Sequence, residues 1–308
     1  MFSIEITATC ESISQAKQLL TTEIDYLYFG DEKFALRMPN AFSWSEIELL
    51  TQLAHQANKK VTVAVNAIMH PDKMKAIPEY LSFLAQIGVD RITVGDTGVI
   101  FVINRDQLKL PFIYDASTMV TSARQINFWA GHGAIGAVLA REIPKLELEN
   151  LSQKLTVFGQ IQVYGASVIH QSKRPLLQNY YNFIGSDEAK SKERNLFLSE
   201  PKKQETHYSI YEDSHGTHIF ANNDLNLMPV LNELAAMQLN HWLLDGIYTS
   251  GEAFVEITKL FSQAKIALEN QNWDLTQASL LAEKVRELHP KSRGLDTGFY
   301  QIDPESIK

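Results

Sequence analysis

The sequence predicts an α/β protein, a (β/α)8 TIM-like barrel with an insertion after strand seven and a C-terminal helical tail. Short β-rich runs alternate with amphipathic stretches through the first two-thirds of the chain. The strands are near-continuous apolar runs such as Val61–Val65, which suit parallel strands covered on both faces. Eight such strands fit a closed barrel more economically than a doubly wound open sheet, the alternative reading.

In chain order the expected strands are Ser3–Thr7, Asp25–Phe29, Lys60–Asn66, Arg91–Gly95, Pro111–Asp115, Ile135–Leu139 and Thr156–Tyr164. Helices are expected over Ser43–Ala57, Pro71–Ile87 and Ser122–Ala130. Ser43 with Glu46 is a capping box, and His70-Pro71-Asp72 opens a helix where proline's missing N–H costs least. Gly88 stops the helix before the fourth strand. The eighth strand, His241–Leu244, follows a helix-like stretch, Leu225–Leu239, and precedes a helix over Ser250–Asn270. Residues 1–271 therefore read as the barrel, with an irregular insertion at about 165–222. Residues 272–308 read as one helix, Leu275–Leu288, and an irregular tail packed on the barrel.

With 45% hydrophobic residues in a 308-residue chain, a sizeable core is available and general disorder is excluded. No apolar run approaches a membrane span, and the opening residues lack a basic segment before an apolar run, so no signal peptide is expected. Asn150-Leu151-Ser152 is then a chance glycosylation triplet. The single cysteine, Cys10, excludes an internal disulfide and cannot alone build a thiolate metal site. A reducing cytoplasm fits. The net charge of −8 makes a general nucleic-acid affinity unexpected. Residues 171–203, however, hold seven basic side chains against four acidic ones. They read as a solvated excursion or as a local cationic surface.

Gly131-His-Gly-Ala-Ile-Gly136 follows a helix and enters a strand, the reverse of a dinucleotide fingerprint, so it reads as a tight turn. No Walker loop, H-E-x-x-H or G-x-S-x-G is present. His215-Gly-Thr-His218, beside Glu212 and Asp213, could mimic a metal site, but a polar turn centred on Gly216 is favoured and no metal is expected. Barrel chemistry sits at the carboxyl ends of strands. Those ends carry Asp31, Asn66 and His70, Asp96, Asp115 with Ser117-Thr118, Arg141-Glu142, Tyr164 and Asp245. Asp31 and Ser117 read as helix caps. Asp96, Glu142 and His70 are the expected catalytic residues, able to exchange protons. Asn66, Arg141, Tyr164 and Asp245 are expected to bind substrate, Arg141 because its fork pairs bidentately with carboxylate or phosphate.

At these strand ends the sequence resembles the collagenase-like peptidase family of unknown catalytic type, family U32. The resemblance runs through Val63-Ala-Val-Asn-Ala-Ile-Met-His70, Gly95-Asp-Thr-Gly98, Val138-Leu-Ala-Arg-Glu142 and Gln162-Val-Tyr-Gly165. It continues through Ser172-Lys-Arg-Pro-Leu-Leu177, Asp213-Ser-His-Gly-Thr217 and Leu295-Asp-Thr-Gly-Phe299, nearly the whole chain. It points to the short branch usually encoded beside a longer paralogue, associated with prephenate-dependent hydroxylation of the wobble uridine in transfer RNA. Family members commonly hold an iron–sulfur cluster on four cysteines. Here the first, second and fourth of those positions fall on Val168, Pro175 and Asn226, and the third near Lys202. The resemblance therefore implies a cluster-free paralogue, with no cofactor of its own. It would act on tRNA beside a longer, cluster-bearing paralogue, with Lys173 and Arg174 on the RNA backbone and no membrane contact. The family name implies instead a protease, a hydrolase; the third alternative is a non-catalytic partner of the longer paralogue.

Overall fold

A computed structural model describes residues 3–115, 120–186 and 191–306. Seven strands pair in chain order, each parallel to the next: β1 (Glu5–Thr9), β2 (Tyr26–Gly30), β3 (Lys60–Val65), β4 (Arg91–Val94), β5 (Phe112–Asp115), β6 (Ala134–Val138) and β7 (Phe158–Gly165). The next four form a separate antiparallel sheet: β8 (Val168–Ser172), β9 (Phe197–Glu200), β10 (Lys203–Asp213) and β11 (Gly216–Phe220), in the order β8-β11-β10-β9. A short β12 (Asn223–Asn226) runs antiparallel to the end of β7. Then β13 (His241–Leu244) pairs in parallel with both β7 and β1, which closes the barrel. The last strand, β14 (Gly294–Asp296), adds to β12.

Helices fill the crossovers: α1 (Ile13–Leu19), α2 (Trp44–Gln56), α3 (Pro71–Met74), α4 (Ile77–Gln86), α5 (Thr97–Arg105), α6 (Ala123–Ala130) and α7 (Lys145–Ser152). Beyond them lie α8 (Leu176–Phe183) in the insertion, α9 (Leu231–Ala236), α10 (Gly251–Glu269) and α11 (Leu275–Leu288). The capping box at α2 forms as expected, with the Ser43 amide donating to Glu46 Oε2 over 2.8 Å. No helix among the described residues is long and apolar enough to cross a membrane.

Three expectations are corrected. The single helix over Pro71–Ile87 is two, because the Pro78 ring excludes the carbonyl of Met74, where α3 ends. The helix over Leu225–Leu239 is a strand, a 3-10 turn at Met228–Val230 and the short α9. Pro229 and the Asn226 side chain, which accepts from the Met228 amide at 3.1 Å, divert the chain there. The insertion is not irregular: it is a sheet with α8 beside it. Most of β10 is solvated and only Ile210–Glu212 is buried, so the segment lacks the apolar run that marks a barrel strand.

The lower bore of the barrel is polar. Arg91 is buried there, its guanidinium 3.5 Å from the Tyr26 ring. Nε donates to Thr62 Oγ1 at 2.9 Å, Nη1 to Glu5 Oε1 at 2.8 Å and Nη2 to Thr7 Oγ1 at 3.0 Å. One side chain on β4 thus ties β1, β2 and β3 across the bore. Arg91→Ala leaves a cavity and removes one donor from each acceptor, although Thr7 keeps Gln160 and Glu5 keeps His241, and should cost about 3–5 kcal/mol in denaturant unfolding. A loss below about 1 kcal/mol would show that water replaces the guanidinium freely.

Candidate functional site

The strand carboxyl ends converge on one narrow cavity of about 40 Å³. Thr9, Tyr28 and Gln160 rise from the strands into it, and Arg37, Asn66, Asp115, Arg141 and Asp245 ring it. Val168 on β8 and Phe220 on β11 form part of its wall, so the inserted sheet reaches over the barrel mouth.

Each polar group is held from behind. Asn66 Oδ1 accepts from the Leu36 amide at 2.9 Å, which aims its Nδ2 at Asp115 Oδ2, 2.8 Å away. Arg37 sits on left-handed backbone (φ 55°) in the loop after β2, and its Nη1 donates to Gln171 of the insertion at 2.7 Å. Arg141 donates through Nε to Gln162. Burial, and then the like charge of Arg141, lower the affinity of Arg37 for its proton. Arginine nonetheless stays charged, so two guanidinium groups face one small space. Asp245 Oδ1 accepts from the Ile247 amide at 3.0 Å. Burial pushes its pKa up to about 6, against the pull of Arg141. Such a carboxyl can give or take a proton near neutral pH. Gly165 makes the junction possible: at φ 111° its missing Cβ would lie 2.1 Å from the Asp245 carbonyl oxygen.

Of the expected site residues, the cavity brings together Asn66, Arg141 and Asp245. Asp96 lies outside its lining. Both of its oxygens are engaged, Oδ1 by the Gly98 amide at 2.7 Å and Oδ2 by the Met69 amide at 2.8 Å, which makes it a helix cap and loop tie. Tyr164 packs outward toward α10, its hydroxyl bonded to Thr249 and His289 at 2.8 Å each. The register shift between Leu243 and Leu244, opposite the end of β7, accompanies that orientation. Glu142 lines a neighbouring cavity of about 330 Å³ with Arg141, Tyr208 and Phe299, and its buried Oε2 has no hydrogen-bond partner among the described residues. His70 and Lys173 line a third cavity, of about 190 Å³. Arg174 is exposed in the insertion. Ser117 and Thr118 lie outside the described residues.

Two charged residues of the cavity, Asp115 and Arg37, were not chosen as site residues from the sequence. Asp115 stood among the strand-end residues but was not chosen, although it ends its strand as the others do. Arg37 was not chosen because it is no strand-end residue: it lies seven residues beyond Gly30, the end of β2, in a loop whose path only the fold shows.

The hairpin reading of His215–His218 holds: Asp213 pairs with Gly216, and Asp213 Oδ1 engages His218 Nε2 at 2.9 Å. Among the described residues no group of three or more His, Cys, Asp or Glu could hold a metal ion. Val168, Pro175 and Asn226, which the resemblance sets at cluster-cysteine positions, carry no thiolate, and such side chains do not fit an iron–sulfur cluster. Cys10 is buried, and burial pushes its thiol pKa well up.

Fold and site together define a (β/α)8 barrel with guanidinium and carboxyl groups gathered at its strand-end mouth. Residues 11–308 match Peptidase family U32, and the chain belongs to that family. It is 32% identical over 300 residues to tRNA hydroxylation protein P2 of Bacillus subtilis (strain 168), spanning 96% of this chain and 97% of that protein. It is 25% identical over 184 residues to tRNA hydroxylation protein P of Escherichia coli (strain K12), spanning 59% of this chain and 41% of that longer protein. The solved structure of the U32 peptidase Mk0906 superposes with a TM-score of 0.50 at 14% identity, covering 79% of this chain and 92% of that one, a likeness of fold.

The raised pKa of Asp245 sets a sign. The folded chain binds an extra proton between the ordinary carboxylate range and pH 6, so this group makes stability fall as pH rises through that window. Asp245→Asn should therefore stabilise the protein at pH 8 by on the order of 2 kcal/mol and very little at pH 4. Thermal melts of both forms across that range check it; an equal effect at both ends would show that Asp245 titrates normally.

Proposed function

We propose that this chain acts in the 5-hydroxylation of the wobble uridine of transfer RNA, as a subunit or paralogue without a cluster of its own. The observation that carries the reading is the 32% identity to tRNA hydroxylation protein P2 along 97% of that protein. The site chemistry supports it. Arg37 and Arg141 would hold a small anion, since paired guanidinium groups suit a carboxylate. Asp245, half-protonated near pH 6, would donate to or accept from that ligand. Lys173 and Arg174, exposed in the insertion, would meet the RNA backbone. The side chains at the family's cysteine positions cannot ligate iron, so a longer, cluster-bearing paralogue would be the redox partner.

Deleting the gene, in a strain with no parallel hydroxylation route, should abolish 5-hydroxyuridine in tRNA digests read by mass spectrometry. Wild-type sequence should restore it. Arg141→Ala should restore less than about a tenth, the loss expected for one charge-assisted contact. Unchanged 5-hydroxyuridine after deletion would sink the reading.

A further inference from the structure

The third of these cavities lies beside the mouth, where the insertion meets the barrel rim. It measures about 190 Å³, and Lys73, His70, Lys173 and His215 line it. Lys73 comes from α3, just after β3; His215 comes from the hairpin turn between β10 and β11. Lys73 is only 7% exposed, and its Nζ meets His215 Nδ1 at 2.9 Å. An ammonium can only donate, so His215 Nδ1 accepts and its proton sits on Nε2. That nitrogen donates to the Glu32 carbonyl at 2.8 Å, which fixes the ring as a neutral, oriented acceptor.

The result is a buried cation with no ion pair among the described residues. Lys173, whose Nζ reaches the Ser214 carbonyl at 3.1 Å, adds a second positive charge at the same opening. The nearby Asp213 meets His218 and the His215 amide through Oδ1 and forms no ion pair with Lys73. Burying an ammonium without a counter-ion is costly, and the fold holds this one in a cavity open to solvent. Burial, and then the charge of Lys173, depress the Lys73 pKa against the pull of Asp213 and Asp72. Leu36 lines both this pocket and the central cavity, and Gln171 joins the pocket to Arg37. A ligand that spans the two is therefore anionic at this end.

We propose that the pocket formed by Lys73, His215, Lys173 and His70 is a phosphate subsite, receiving a backbone phosphate of the RNA strand. The inference rests on the tRNA reading and adds to it a defined contact beside the mouth. Lysine suits the task as a compact point charge, and phosphate contacts set position and register rather than sequence.

Binding of a fluorescent anticodon stem-loop RNA, followed by anisotropy at several salt concentrations, tests it. Lys73→Gln and Lys173→Gln should each weaken binding by about tenfold, and each should reduce the salt slope by about 1. Lys284→Gln, exposed on α11, should change neither. Thermal melts show whether each variant folds; if Lys73→Gln does not, the rim variant Lys173→Gln decides alone. RNA affinity and slope unchanged in the folded variants overturn the subsite. Competition by inorganic phosphate for the pocket, with RNA binding indifferent to both lysines, overturns it too, because the anion would then not come from RNA. Neither failure touches the hydroxylation reading, which stands or falls on 5-hydroxyuridine in the deletion strain. Conversely, lysine-dependent RNA binding in a protein whose deletion spares 5-hydroxyuridine upholds the subsite and sinks only that reading.

Discussion

The closure made by β13 is the constraint on which the rest depends. Four residues, His241–Leu244, hydrogen-bond to β1 on one side and β7 on the other. Without them two long strand edges would stand open, and the strand ends would splay along an open sheet. With them, eight carboxyl ends face one another across a rim. The chain leaving β13 is held to both neighbours: the Asp245 amide donates to the Tyr164 carbonyl at 3.0 Å, and the Gly246 amide to Thr9 Oγ1 at 2.8 Å. Asp245 reaches the cavity because that turn is tight, and the turn is tight because Gly165 has no Cβ to collide with it.

Charge is handled differently at the two levels of the bore. Below, Arg91 is matched by Glu5 and by threonine hydroxyls, so its charge is spent on structure. Above, Arg37 and Arg141 face one cavity with Asp115 and Asp245, and burial lifts Asp245 toward neutrality. A carboxyl close to its titration point beside two fixed cations is an environment that an arriving anion completes. The insertion belongs to that environment, since Gln171 holds Arg37 while Val168 and Phe220 cover the mouth.

Much of the fold was legible in local patterns. The seven apolar runs and the eighth at His241–Leu244 are the barrel strands, each within two residues of its expected ends, and the α11 boundaries are those read from periodicity. What failed had a physical reason. Pro78 and Pro229 broke stretches whose apolar spacing looked helical throughout, and the inserted sheet hid behind a polar pattern because most of it is solvated. At the site, Asn66, Arg141 and Asp245 were legible as polar groups directly after apolar strands. Arg37 was not, because its place depends on a loop with left-handed backbone. Asp96 looked identical to the others in sequence, yet the amides of Met69 and Gly98 take both its oxygens.

The sequence by itself determined the order of strands and helices, the caps that start them and the chemistry that a single cysteine cannot perform. Those properties are local or compositional: they depend on spacing along the chain or on which atoms exist. The tertiary structure alone decided which strand-end side chains share a cavity, which turn outward as Tyr164 does, and how Lys73 comes to meet His215 from 142 residues away. Side-chain direction at a strand end follows from register and closure across the sheet, and those are set by partners distant in the chain.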